Sequence, residues 1–179
     1  HLSIRRQRQM CIRDRSELDF TPGPGLLERA DPGPVIHEAF NPTTRRLQSL
    51  RMPVICAVNG VAAGAGASVA MACDITIAAP TASFVQAFSK IGLIPDAGGS
   101  WLLVERLGLP RAMALAMTGD KLSADKAKEW GLIWDVAEDC VGAALAMADK
   151  LAVMPTQALV ATRHLLRDAG TRSLDAHLN

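Results

Sequence analysis

Residues 53–79 read PVICAVNGVAAGAGASVAMACDITIAA. The stretch 52–60, MPVICAVNG, is a short continuous apolar run that stops at Asn59-Gly60, the pattern of a strand buried on both faces in a parallel sheet. Residues 61–74 are then built almost wholly from small side chains and predict a glycine turn opening into a tightly packed helix. Residues 74–80, DITIAAP, alternate and are β-branched, so a second strand follows. A strand, a glycine turn, a helix and a strand in immediate succession point to an α/β fold.

Working outward, residues 82–100 predict a short strand followed by turns, ending in Pro95-Asp96-Ala97-Gly98-Gly99. Residues 101–108, 110–119 and 123–131 each read as a helix closed by glycine, with Pro110 suited to a first helical turn. A short strand is expected at 133–137 and amphipathic helices at 141–155 and 156–170. On the N-terminal side, 37–50 has a helical mix of apolar and basic positions in which Asn41-Pro42 supplies a cap or a kink. Residues 21–35, with four prolines and three glycines, read as a loop or lid. No repeat of fixed period is visible.

The chain has 179 residues, 49% hydrophobic, 21% charged and 4% aromatic, with no tyrosine. This composition excludes a disordered charged tail, a collagen-like chain and a small disulfide scaffold. The formal charge of +1 hides an asymmetry: residues 1–16 carry five arginines and one aspartate, net +4, whereas 17–179 carry 14 basic and 17 acidic side chains, net −3. An Arg-rich leader suits a transit segment, a nucleic-acid arm, a disordered tail or foreign sequence. Cys11, Cys56, Cys73 and Cys140 form no C-x-x-C pair and no cluster with histidine, so free thiols in a reducing cytoplasm are expected, and no metal site. Asn59 and Asp74 interrupt the longest apolar runs before they reach the ~18 residues of a membrane span.

Two places can carry chemistry. In NGVAAGAGA (59–67), glycines between a buried strand and a helix leave N–H groups at the positive end of the helix dipole, a setting for an anion or an oxyanion. The spacing of Gly60, Gly64 and Gly66 is not the dinucleotide G-x-G-x-x-G, and no lysine follows as a phosphate loop needs. Close packing of helix on sheet and an oxyanion hole with the Ala65 N–H as donor remain. The second place is Asp96, set among Ile91, Leu93, Ile94, Trp101 and Leu102, where desolvation favours proton exchange near neutral pH. The competing reading is a helix N-cap carboxylate. Asp74 at a strand start reads as structural; His37, His164 and His177 fall on helices away from the glycine turns; Met113, Met117, Met147 and Met154 read as core filler.

Three blocks in this order, residues 53–79, 88–103 (FSKIGLIPDAGGSWLL) and 113–136 (MALAMTGDKLSADKAKEWGLIWDV), resemble the enoyl-CoA hydratase/isomerase, or crotonase, superfamily, from about residue 16 to the C-terminus. Within it, IGLIPDAGGSW is similar to the ring-epoxide isomerase branch of phenylacetate catabolism. The resemblance implies a spiral of ββα turns followed by C-terminal helices, coenzyme A thioester substrates and homotrimers or hexamers. It implies neither metal nor redox cofactor, and no nucleic-acid or membrane partner. It divides the chain into a leader at 1–15, a partial spiral core at 16–135 and an incomplete helical region at 136–179.

By the resemblance, Ala65 supplies an oxyanion donor, Asp96 is the acid–base group, and Gly64, Gly66, Ser68, Phe88 and Gly98 bind substrate. Hydratases of the family carry glutamates at the places taken here by Ser68 and Phe88, neither of which can activate water. Proton shuttling by a single acid–base group therefore implies an isomerase, with a Δ3,Δ2-enoyl-CoA isomerase, an atypical hydratase or an inactive acyl-CoA-binding fragment as alternatives. The segment before SELDF reads MCIRDR where relatives carry small residues that give the second oxyanion donor. Residues 1–15 are therefore expected to be foreign to a gene truncated at both ends, the C-terminus stopping before the last helices.

Overall fold

The structure, a computed structural model, describes residues 33–178. A helical turn at Gly33–Val35 and a π-helical turn at Ile36–Phe40 lead into helix α1 (Asn41–Ser49). The helical turn at Gly33–Val35 thus falls inside the stretch read as loop. The change from π to α winding falls at Asn41-Pro42, with Pro42 in the first turn, where its missing N–H costs least. Phe40 occupies the cap position with no side-chain cap bond, so Asn41-Pro42 marks an irregularity and not a cap.

Strands and helices then alternate. Strand β1 (Ile55–Val58) and strand β2 (Val61–Ala63) precede helix α2 (Ala65–Ala72). Strand β3 (Ile75–Ala78) and strand β4 (Ser83–Val85) follow, then a 3-10 turn at Ser89–Ile91 and helices α3 (Gly99–Leu107) and α4 (Leu109–Thr118). Strand β5 (Lys121–Ser123), helix α5 (Ala124–Glu129) and strand β6 (Asp135–Val136) come next. Helices α6 (Cys140–Ala152), α7 (Thr156–Asp168) and α8 (Leu174–Leu178) close the chain.

Among the described residues, the six strands form two three-stranded sheets, ordered β1-β3-β6 and β2-β4-β5. Each successive strand pair gives one member to each sheet: β1 and β3 run parallel with Ile55 opposite Ile75, and β2 and β4 run parallel with Val61 opposite Ser83. That is one turn of a ββα spiral stacked on the next. The third layer differs, since β5 pairs antiparallel to β4 with Phe84 opposite Leu122, and α5 lies between β5 and β6.

Every residue of α2 is buried, so the helix needs no polar face and its small side chains let it lie close to its neighbours. Met71, 2% exposed, is its one large core residue. Its C-terminal carbonyls are satisfied by Arg106 of α3, which donates to Met71 at 2.6 Å and Cys73 at 2.7 Å, a cation at the negative end of the helix dipole. Burial lowers the pKa of that guanidinium.

Helix α7 is held by charge. Arg163 pairs with Asp74 at 3.1 Å and donates to the Met52 and Leu50 carbonyls, while Arg167 meets the other Asp74 oxygen at 3.0 Å. Asp74 also accepts from the Val54 N–H at 2.8 Å, which fits its structural reading. Cys56, Cys73 and Cys140 are free and buried. The Cys73 thiol sits below its ordinary pKa because it is hydrogen-bonded to Cys56, whose own pKa the same bond pushes up.

The methionine reading needs correction. Met147 packs against the core, but Met113, Met117 and Met154 are 46%, 65% and 37% exposed, because α4 turns only Ala112 and Leu115 inward and Met154 lies beyond the end of α6. Two strands escaped the sequence reading, β2 and β5, and so did α8. Among the described residues, no helix is long and apolar enough to cross a membrane.

Candidate active site

The site grows from the end of β2. Gly64 has φ 53 and ψ −127, a conformation open to glycine, and its N–H donates to the Val85 carbonyl at 2.9 Å, anchoring the turn to β4. The Gly64 carbonyl accepts from the Ala67 and Ser68 N–H groups at 3.0 and 3.2 Å. Those bonds start α2 and satisfy two of its first donors. The Ala65 N–H, at the first helical position, donates to no group among the described residues. It stands at the positive end of an eight-residue helix, where a developing negative charge is best stabilised.

Phe88 closes one side of this turn. Its ring is 5% exposed, and its ζ carbon would lie 3.5 Å from a Cβ at Gly64. Gly64 is therefore required by its backbone angle, while the ring would meet a Cβ there only at ordinary contact distance.

The opposite wall is the loop that leads into α3. Asp96 is half-buried, and its carbonyl accepts from the Ser68 hydroxyl at 3.1 Å and from the Gly99 N–H at 2.6 Å. Ser68 itself is fully buried, with the Gly64 carbonyl 3.5 Å from its hydroxyl. The serine thus ties the Gly64 turn to the Asp96 loop. No surface of the residue is exposed in this structure. Gly99 is required by the same tie, since a Cβ there would overlap the Ser68 hydroxyl. Ala97 is buried with φ 51, a left-handed conformation that costs an ordinary residue about 1–2 kcal/mol. Gly98 follows with φ 80, is exposed, and caps α3. The cap of α3 is therefore Gly98 with no side-chain bond, and the N-cap reading of Asp96 falls away.

Of the residues read from sequence, Gly64, Ala65, Gly66, Ser68 and Phe88 gather at the start of α2, and the Ser68 bond brings the Asp96–Gly98 loop against them. The position expected to give the second oxyanion donor, near Cys11, lies outside the described residues. Thr44 was missed: its hydroxyl donates to the Ala97 carbonyl at 3.0 Å from a helix whose sequence reads only as basic and apolar. Gly99 belonged to a quoted motif but was given no role. His37, His164 and His177 stay on their helices, apart from this site. Among the described residues, no group of three or more His, Cys, Asp or Glu side chains converges in a way that could hold a metal ion.

Residues 24–179 match the enoyl-CoA hydratase/isomerase family. The chain is 47% identical over 170 residues to 1,2-epoxyphenylacetyl-CoA isomerase of Escherichia coli (strain K12), covering 94% of this chain and 63% of that protein. It is 45% identical over 117 residues to the protein named "Probable enoyl-CoA hydratase" of Rhodobacter capsulatus, covering 65% and 46%. Among solved structures, an enoyl-CoA hydratase from Polaromonas sp. JS666 superposes with a TM-score of 0.76 at 34% identity, over 96% of this chain and 63% of that one. The chain spans less than two thirds of each of these relatives. The match over 24–179 and the two-sheet spiral agree, and the chain belongs to the enoyl-CoA hydratase/isomerase family.

Proposed function

We propose that the chain is the core of an acyl-CoA isomerase. The thioester oxygen sits on the Ala65 N–H, which stabilises the enolate as it forms, and the Asp96 carboxylate takes a proton from one carbon and returns it to another. One proton leaves and one returns, so the step needs no metal or redox cofactor. An epoxide conjugated to the enolate can rearrange through the same charge-stabilised intermediate. The name of the Escherichia coli relative, an epoxyphenylacetyl-CoA isomerase, supports this substrate class and a place in phenylacetate breakdown. A cytoplasmic trimer or hexamer accompanies the proposal.

The observation that carries the reading is what Ser68 and Phe88 do. One is fully buried and holds the Asp96 loop; the other seats its ring on Gly64. Both positions are committed to packing, which supports the reading of Asp96, between the α2 turn and α3, as the acid–base group. The likeness to the Rhodobacter capsulatus protein favours hydration as the second reading. Incubating the chain with a trans-2-enoyl-CoA in oxygen-18 water separates the two. Migration of the double bond with no labelled hydroxyacyl product is expected, and rapid formation of that product would overturn the isomerase reading.

A further inference from the structure

Two consecutive carbonyls of the loop after Pro95 are each tied to a different helix. Ser68 of α2 donates to the Asp96 carbonyl at 3.1 Å, and Thr44 of α1 donates to the Ala97 carbonyl at 3.0 Å across 53 residues of sequence. Thr44 is the buried residue of α1, whose arginines Arg45 and Arg46 face solvent. Its methyl group lies beside the loop, with Cγ2 at an ordinary contact distance of 3.6 Å from where a Cβ at Gly98 would stand. Between these contacts sits Ala97, the non-glycine residue with positive φ among the described residues, followed by Gly98, also at positive φ. The Gly99 N–H on the Asp96 carbonyl at 2.6 Å closes this turn locally and Gly98 adopts its angle freely, but a left-handed alanine still costs about 1–2 kcal/mol, which contacts from outside the turn help to offset.

We propose that Thr44 is a positioning residue for Asp96. Its hydroxyl locks the Ala97 carbonyl, the locked carbonyl sets the left-handed turn, and the turn fixes the direction in which the preceding aspartate leaves the backbone. The inference rests on Asp96 being the acid–base group, and Thr44 acts through the backbone without touching substrate. Together with Ser68 it makes a two-point clamp, one helix on each carbonyl.

The test compares Thr44→Val, which keeps the methyl shape and removes the donor, with Thr44→Ser, which keeps the donor and removes the methyl. In the 179-residue chain, Thr44→Val should lower kcat on the order of 10- to 100-fold with KM nearly unchanged, the scale of a catalytic group displaced by about 1 Å. Thr44→Ser should restore most of the loss. In parallel, the carboxyl-carbon NMR resonance of Asp96 should move in Thr44→Val and return in Thr44→Ser. Wild-type kcat in Thr44→Val, equal loss in both variants, or an unmoved resonance would overturn the proposal. If the wild-type chain isomerises no acyl-CoA, the functional reading fails, and the resonance comparison alone decides whether Thr44 holds Asp96.

Discussion

The Ser68 hydroxyl donates to the backbone carbonyl of Asp96 at 3.1 Å, joining two segments 28 residues apart. This bond makes one site of a helix start and a loop that separate strands deliver. It also explains Gly99, whose missing side chain leaves room for the serine. Building the site on strand ends and helix starts gives it the rigidity that the proposed enolate stabilisation requires.

The fit of Ser68 to Gly99 predicts a coupled pair. Gly99→Ala should destabilise the chain by about 1–3 kcal/mol through overpacking against the serine. Adding Ser68→Ala should recover part of that loss, giving a coupling of about 1 kcal/mol in a double-mutant cycle by urea unfolding. Additive losses would show that the serine and the glycine do not share this space.

The Ala65 N–H can be removed without a side-chain cavity. Proline is tolerated at the first helical position, where its missing N–H has no partner inside the helix. Ala65→Pro should keep the helical circular dichroism of the chain while turnover of an acyl-CoA falls by about 10²–10³, the cost of one oxyanion donor. Full turnover with the helix intact would remove Ala65 from the mechanism.

Asp135 gives a pH prediction. Its pKa lies below the ordinary carboxyl value of 3.8, first because of the hydrogen bond from Lys128 at 2.6 Å and then because of the Val136 N–H at 2.8 Å. A carboxyl whose folded pKa is depressed adds stability that is present above its unfolded value and is lost as pH falls through the folded one. The contribution should therefore disappear below about pH 4. In a carbon-13 NMR titration, Lys128→Met should raise the Asp135 midpoint toward the ordinary value. An unchanged midpoint would contradict the assigned cause.

Much of this architecture is legible in the chain itself. The apolar run around Ile55–Val58 and the β-branched Ile75–Ala78 announce the buried parallel pair, and Gly108 and Gly119 mark the ends of α3 and α4. Three-residue strands are another matter. Val61–Ala63 and Lys121–Ser123 are too short to show alternation, and they are strands only because β4 lies between them. Asp96 stands out by its apolar neighbours and glycines, whereas Thr44 carries no local signal because its meaning lies 53 residues away, at a carbonyl. Likewise, nothing in the spacing of Met113 and Met117 tells which side of α4 faces inward.

The most direct test of the central claim is Asp96→Asn, followed by the exchange of deuterium from solvent into an acyl-CoA substrate. An asparagine keeps the backbone bonds to Ser68 and Gly99 and loses only the carboxylate. Exchange should fall by about 10²–10⁴ with the fold unchanged, the usual loss for a positioned acid–base group. Exchange at the wild-type rate would contradict the account.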